Sequence, residues 1–301
     1  GSRLPHFDSP DPNSCFAALF RTPTENDHGT PHVLEHTVLC GSERYPVRDP
    51  FFNMLKRSLS TYMNAWTGPD YTGYPFSTQN PRDFRNLLSV YCDSVFRPLI
   101  KMEDFQQEGW RHTLKDGRLG IEGVVFNEMK GAYEDPDDFF DAQLSKHLYR
   151  GCSLENNYGG DPLAIPDLTH QELRNFHAKH YHPSNCTFFL YGQQDLHSFT
   201  RSLEEQYLGG FTPLSPIAVN YRPSIETVTT KLVYGPEEPS GVNKDKGCQW
   251  AMSFLIKDRQ GVKEDLQGLS LLSSLLFDFP TSPFFERFIS SGQASGSGNS
   301  C

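Results

Sequence analysis

The stretch Pro31-His32-Val33-Leu34-Glu35-His36-Thr37-Val38-Leu39-Cys40-Gly41 decides how this chain is read. Pro31 suits a first helical turn, where its missing N–H costs nothing, and Thr30 before it offers an N-cap oxygen. Gly41 supplies a stop. On the helix so bounded, His32 and His36 are one turn apart and share a face. Two imidazoles on one face can bind one Zn2+ ion. Glu35 lies beside that face and can take a proton from water at the metal without itself being a ligand.

The order HxxEH reverses the HExxH zinc signature and is itself a known inverted form. It supplies two ligands, whereas a catalytic zinc takes three from the protein and leaves a position open. The third should come from another helix. Glu108 in QQEGW, Glu122, Glu128 in FNEMKG and Glu134 all qualify, and spacing does not choose among them. His177, His180 and His182 cluster before Pro183 at a predicted helix end, where they read as structural. Trp66 and Trp110 read as core residues.

Working outward, CFAALFRT (15–22) and TFFLYG (187–192) read as buried strands. LSTYMNAWT and DYTGYPFST, separated by Gly68-Pro69, read as a hairpin. Helices are expected over FFNMLKRS after Asp49-Pro50, PRDFRNLLSVYCDSVF, GVVFNEMKGAYE, the run after Pro136 and LTHQELRNFHAKHY. FTPLSPIAVNYRPS has three Pro and no period, so 213–224 reads as a linker. Beyond it, TVTTKLVYG and QWAMSFLI suggest strands, and a helix should start at Glu264. The mixture lacks βαβ regularity, which favours an α+β fold.

With 37 acidic and 27 basic residues the net charge is −10, a poor match for nucleic acid and a better one for cationic peptides. The seven cysteines are scattered and never in CxxC spacing, which excludes a Cys-type zinc site and a disulfide scaffold. No window reaches the ~20 apolar residues of a membrane helix. The N-terminal residues read as neither a signal nor a transit peptide.

The run from Pro31 to Pro81, with GVVFNEMKGAY, NYGGDPLAIPDLT and FHAKHYHPSN, resembles the pitrilysin/insulysin metallopeptidases, in the organellar branch that includes the falcilysin-like enzymes. The resemblance runs from about Cys15 to about Gly292 and implies what spacing cannot. It makes Glu128 the third zinc ligand, joining His32 and His36, with Glu35 as general base. It places Asn64 and Ala65 on an edge strand that pairs with substrate, and Leu39, Phe51, Phe52 and Leu55 around an apolar pocket. It implies a catalytic domain over 1–212 whose first strands are missing, the linker 213–224, and the start of a similar inactive repeat over 225–301. The expected activity is that of a zinc endopeptidase of unfolded peptides such as cleaved targeting presequences, in the mitochondrial matrix or another organelle. A processing-peptidase-like subunit, or a truncated homologue that only binds a partner, is the alternative. The family's C-terminal half, which supplies an Arg and a Tyr near the zinc, has no counterpart here, so the chain alone should be weakly active or inactive.

Overall fold

Alternation of large apolar side chains sets the central sheet. The computed structural model describes residues 2–215, 217–224, 249–253 and 262–294. In strand β2 (Ser14–Arg21), Phe16, Ala18 and Phe20 point to one face and are almost fully buried. Strand β5 (Tyr71–Thr78) adds Tyr74 and Phe76 to that face, and strand β8 (Cys186–Tyr191) adds Phe188 and Leu190. Both pair antiparallel with β2, with Phe16 opposite Phe76 on one side and Leu190 on the other. The sheet is completed by β1 (His6–Phe7), parallel to β8, and by β3 (Ser60–Met63) and β4 (Trp66–Thr67), both antiparallel to β5. Its order is β1-β8-β2-β5-β3, which leaves β3 at an edge.

Helices cover the apolar face. α3 (Pro81–Phe96) starts at Asn80, whose side chain accepts from the N–H groups of Arg82 and Asp83. It brings Tyr91 within 5.1 Å of Phe76 and Phe96 within 5.6 Å of Phe20, ring centre to ring centre. α7 (His170–His180) opens on a capping box formed by Thr169 and Glu172. Just past its end, Tyr181 stacks on Phe20 at 4.5 Å and exchanges a 2.8 Å hydrogen bond with Tyr74. α1 (Thr30–Val38) drives Val33, Leu34 and Val38 into the same core with no exposed surface. The architecture is α+β, as expected.

Several details depart from the sequence reading. Thr30 is the first residue of α1 and not its cap; Gly29, in the left-handed region at φ 66°, holds that place. The hairpin expected over residues 59–78 forms, but its first arm breaks at Asn64-Ala65 between β3 and β4. Five elements were not anticipated. They are β1, α4 (Met102–Glu108), α8 (Leu196–Leu203) and the two strands of one hairpin, β6 (Arg111–Lys115) and β7 (Arg118–Glu122). α2 (Pro50–Arg57), α5 (Val124–Tyr133) and α6 (Pro136–Leu148) match the expected helices.

Two compact units are distinguished, Gly1–Pro236 and Glu237–Cys301. Within the first, the described residues of the expected linker run without regular structure and are tied down by Leu214 N–H to Ser184 Oγ at 3.0 Å and Ser224 N–H to the Arg150 carbonyl at 2.7 Å. The expected strand TVTTKLVYG lies outside the described residues. In the second unit, α9 (Val262–Phe277) leaves Leu271, Leu272 and Leu275 half or more exposed.

The histidines at the end of α7 are structural. His177 Nε2 bonds the Val95 carbonyl at 2.9 Å and His180 Nδ1 the Arg21 carbonyl at 3.1 Å. Burial pushes both imidazoles down, His180 to about 4. Both therefore stay neutral in the folded chain at pH values where the unfolded chain, at about 6.5, takes up protons. Their contribution is fully present above pH ~6.5 and is lost as pH falls below it, for His180 down to about 4, at up to about 1.4 kcal/mol per pH unit for each group. Thermal melts across that window are expected to show a smaller loss for H177Q/H180Q than for the parent. Equal slopes would contradict the assignment.

Candidate metal centre

Because α1 buries its apolar stripe, its polar face has one direction left. His32 and His36 project from that face with ring centres 5.1 Å apart. α5 approaches from the other side and delivers Glu128. Its Oε2 lies 3.6 Å from His32 Nε2 and 4.0 Å from His36 Nε2. One donor atom from each of the three residues fits within a 4.8 Å span. Zinc–ligand bonds of about 2.0–2.1 Å place tetrahedral donors roughly 3.4 Å apart, so small side-chain rotations would close this set on an ion. Among the described residues it is the only such group of His, Cys, Asp and Glu.

The outer nitrogens of both imidazoles are engaged, which turns the Nε2 atoms toward Glu128. His32 Nδ1 donates to the Gly159 carbonyl at 3.1 Å, and His36 Nδ1 meets Glu108 Oε2 at 3.2 Å. Such contacts fix ring orientation and tautomer at metal sites. Burial opposes charge on His36, but its bond to Glu108 and the nearby Glu35, Glu108 and Glu128 outweigh burial and raise its pKa. Glu108 is 8 % exposed, and Gln107 donates to its second oxygen at 3.0 Å. Burial pushes Glu108 up, and the bonds from His36 and Gln107 bring it below the usual carboxylate range.

The other two glutamates weighed from sequence lie elsewhere. Glu122 pairs with Lys115 and with Arg111, and Glu134 follows the last turn of α5. Cys40 borders the site, but burial and the acids Glu108, Asp104 and Asp49 push its thiol far up. That disfavours the thiolate a metal would need.

Glu35 is buried beside the three donors but outside the set. Thr67 Oγ1 on β4 donates to its Oε2 at 2.8 Å. These groups line one cleft of about 570 Å³, which also contains Leu39, Phe51, Phe52, Leu55, Asn64 and Ala65. All six side chains expected at a substrate site therefore border the same space. Trp66 belongs to this wall as well and not to the core, where the sequence reading put it. Glu108, Thr67 and Gly159 were not singled out in these roles. Each acts through a chain contact that sequence spacing does not encode.

The chain is 46 % identical over 299 residues to the mitochondrial presequence protease of Mus musculus, covering 97 % of this chain and 29 % of that protein. It is 44 % identical over 296 residues to its counterpart in Schizosaccharomyces pombe, covering 95 % and 29 %. Over nearly its whole length this chain is similar to the mitochondrial presequence proteases. It spans less than a third of their length. Residues 167–300 match the family described as the peptidase M16 inactive domain, a region that begins after Glu128 and includes none of the cleft's ionisable groups. The fold is similar to that of pitrilysin, with a TM-score of 0.54 at 20 % identity, over 68 % of this chain and 21 % of the other. The α+β, pitrilysin-type architecture is thus borne out.

The geometry gives Glu108 a measurable role. Removing an outer partner of a metal-bound imidazole typically costs 10–100-fold in affinity. Glu108→Ala is expected to weaken zinc binding by about that factor in a chelator competition, at unchanged stoichiometry. Parent affinity in the variant would show that His36 needs no such support.

Proposed function

We propose that this chain carries the zinc centre of an endopeptidase that degrades unfolded peptides, with His32, His36 and Glu128 as ligands and Glu35 as the general base. One observation carries the reading. Two Nε2 atoms and one carboxylate converge, while Glu35, adjacent in sequence to His36, stays in the same cleft without joining them. The donor set of two imidazoles and a carboxylate suits zinc and leaves one coordination position for a small molecule. Bound there, zinc would polarise a carbonyl and lower the pKa of water.

The chain's own residues do the rest. Thr67 holds one oxygen of Glu35, which fixes the carboxylate's direction and leaves its other oxygen to accept a proton and pass it to a leaving amine. The main chain at Asn64 and Ala65 lies at the sheet edge, held inward by Asn64 N–H to the Pro75 carbonyl at 3.2 Å. An extended peptide would add there as a further strand. Leu39, Phe51, Phe52 and Leu55 would receive an apolar side chain beside the scissile bond. Phe52 and Leu55 are about half exposed, so that wall is open to an entering peptide. Among the described residues the cleft is lined by Glu35, Glu108 and Glu128 and by no Lys or Arg, which favours cationic segments.

The relatives' names support organellar presequences as substrates and a mitochondrial location, and we assign this chain to the matrix. We read 225–301 as the start of a non-catalytic repeat after the catalytic domain and linker; the match to an inactive domain covers that stretch to residue 300 and begins earlier, at residue 167. The relatives' further length would supply additional donors to the developing oxyanion, each worth about 10²–10³ in rate, so this chain alone should turn over slowly.

Glu35→Gln separates the roles. Assayed on an unstructured cationic peptide, with the further length of the relatives added, it should retain zinc and lose about 10²–10⁴ in turnover. Turnover near that of the parent would remove Glu35 from the reaction.

A further inference from the structure

The loop Asn157–Asp161 borders the cleft and meets His32 through the Gly159 carbonyl, which accepts from His32 Nδ1. That contact is only as well placed as the loop. Asn157 Oδ1 accepts from Gly159 N–H at 2.9 Å, and Asn157 Nδ2 donates to Tyr133 Oη at 2.9 Å, so the loop is internally stiffened and tied to α5. Its position along α1 is set from elsewhere. Asp27, five residues before His32, takes the Asn157 N–H on Oδ1 at 2.8 Å and Lys146 Nζ on Oδ2 at 2.7 Å. The Asp27 main-chain carbonyl takes the Asp161 N–H at 2.8 Å. One residue therefore clamps both ends of the loop and joins it to α6.

The clamp works because nothing stands between the loop and the start of α1. A Cβ on Gly29 would lie 2.7 Å from the Gly159 carbonyl oxygen and 2.9 Å from Gly160 Cα. Glycine at that point lets the two backbones touch, and its left-handed conformation turns the chain from Asp27 into the helix. The path from Asp27 to His32 is short and made of directed contacts: carboxylate to the Asn157 N–H, Asn157 side chain to the Gly159 N–H, Gly159 carbonyl to imidazole. A charged acceptor gives the first of these greater strength than a neutral one.

We propose that Asp27 is a positioning residue for the metal centre, holding the 157–161 loop so that Gly159 orients His32 toward the ion. The inference rests on the proposed ligand set, and its experiment separates the two. The 301-residue chain is loaded with Co2+, its ligand-field spectrum recorded, and its Zn2+ affinity measured by chelator competition. Asp27→Ala should bind zinc about 10–100-fold more weakly and shift the cobalt bands. Asp27→Asn keeps an oxygen for Asn157 and should lose less. Should Asp27→Ala not fold, Asp27→Asn and Lys146→Met carry the test, each expected to weaken binding measurably with an altered cobalt spectrum. A purely structural Asp27 would lower the melting temperature and leave affinity and spectrum at parent values. That result, with Glu128→Gln abolishing binding, overturns the role of Asp27 and leaves the ligand set standing. A parent chain that binds neither ion, or a Glu128→Gln chain that binds as well as the parent, overturns the ligand set and this inference with it.

Discussion

The structure depends on how α1 is seated. A helix places residues four apart on one face, but that face is useful only if its rotation is fixed. Here Val33, Leu34 and Val38, fully buried against the sheet, fix it. A helix this short has little stability of its own, so the core that locks its rotation is also what makes it a helix. The polar side of α1 then has to face the space between the sheet edge at β3–β4 and helices α4 and α5. Each group around that space is aimed with reference to it: Glu128 from α5, Glu108 from α4, Thr67 from β4, and the Gly159 carbonyl from the loop after α6.

Charge explains why the arrangement calls for a cation. Three carboxylates, Glu35, Glu108 and Glu128, share a cleft with two imidazoles and no Lys or Arg. Like charges gathered in one partly buried cleft oppose one another more strongly than they would in water. The raised pKa of His36 is the same field acting on a proton. A divalent ion held there would answer that field at one point, and the imidazoles that bound it would have to be neutral. Thr67 keeps Glu35 turned to its own place, so the proposed base and the proposed ligand set remain distinct although they are neighbours in sequence.

The parts of this that were legible from sequence are those written in local periodicity. His32, Glu35 and His36 are fixed by helical spacing alone, and the alternation of Phe16, Ala18 and Phe20 marks β2. Glu128 was not separable from Glu108 on spacing, because the β6–β7 hairpin is inserted between their helices and removes any fixed interval. Asp116-Gly117, both at positive φ, forms the turn of that hairpin and was a usable signal. It was obscured by strands as polar as RHTLK. α4 is short, with only Phe105 and Glu108 buried, so it offers little period to read. β1 spans two residues and exists only through its pairing with β8. Gly159 meets His32 through its main-chain carbonyl, and Asp27 takes the main-chain N–H groups of Asn157 and Asp161, contacts that depend on the path of the backbone more than on side-chain pattern.

The central claim is that two imidazoles and one carboxylate, and no sulfur, hold the ion. X-ray absorption at the zinc edge of the loaded chain measures this directly. The account predicts a first shell of nitrogen and oxygen at about 2.0–2.1 Å with two imidazole rings in the outer scattering. A sulfur shell at about 2.3 Å, which would bring in Cys40, or a single imidazole would contradict it.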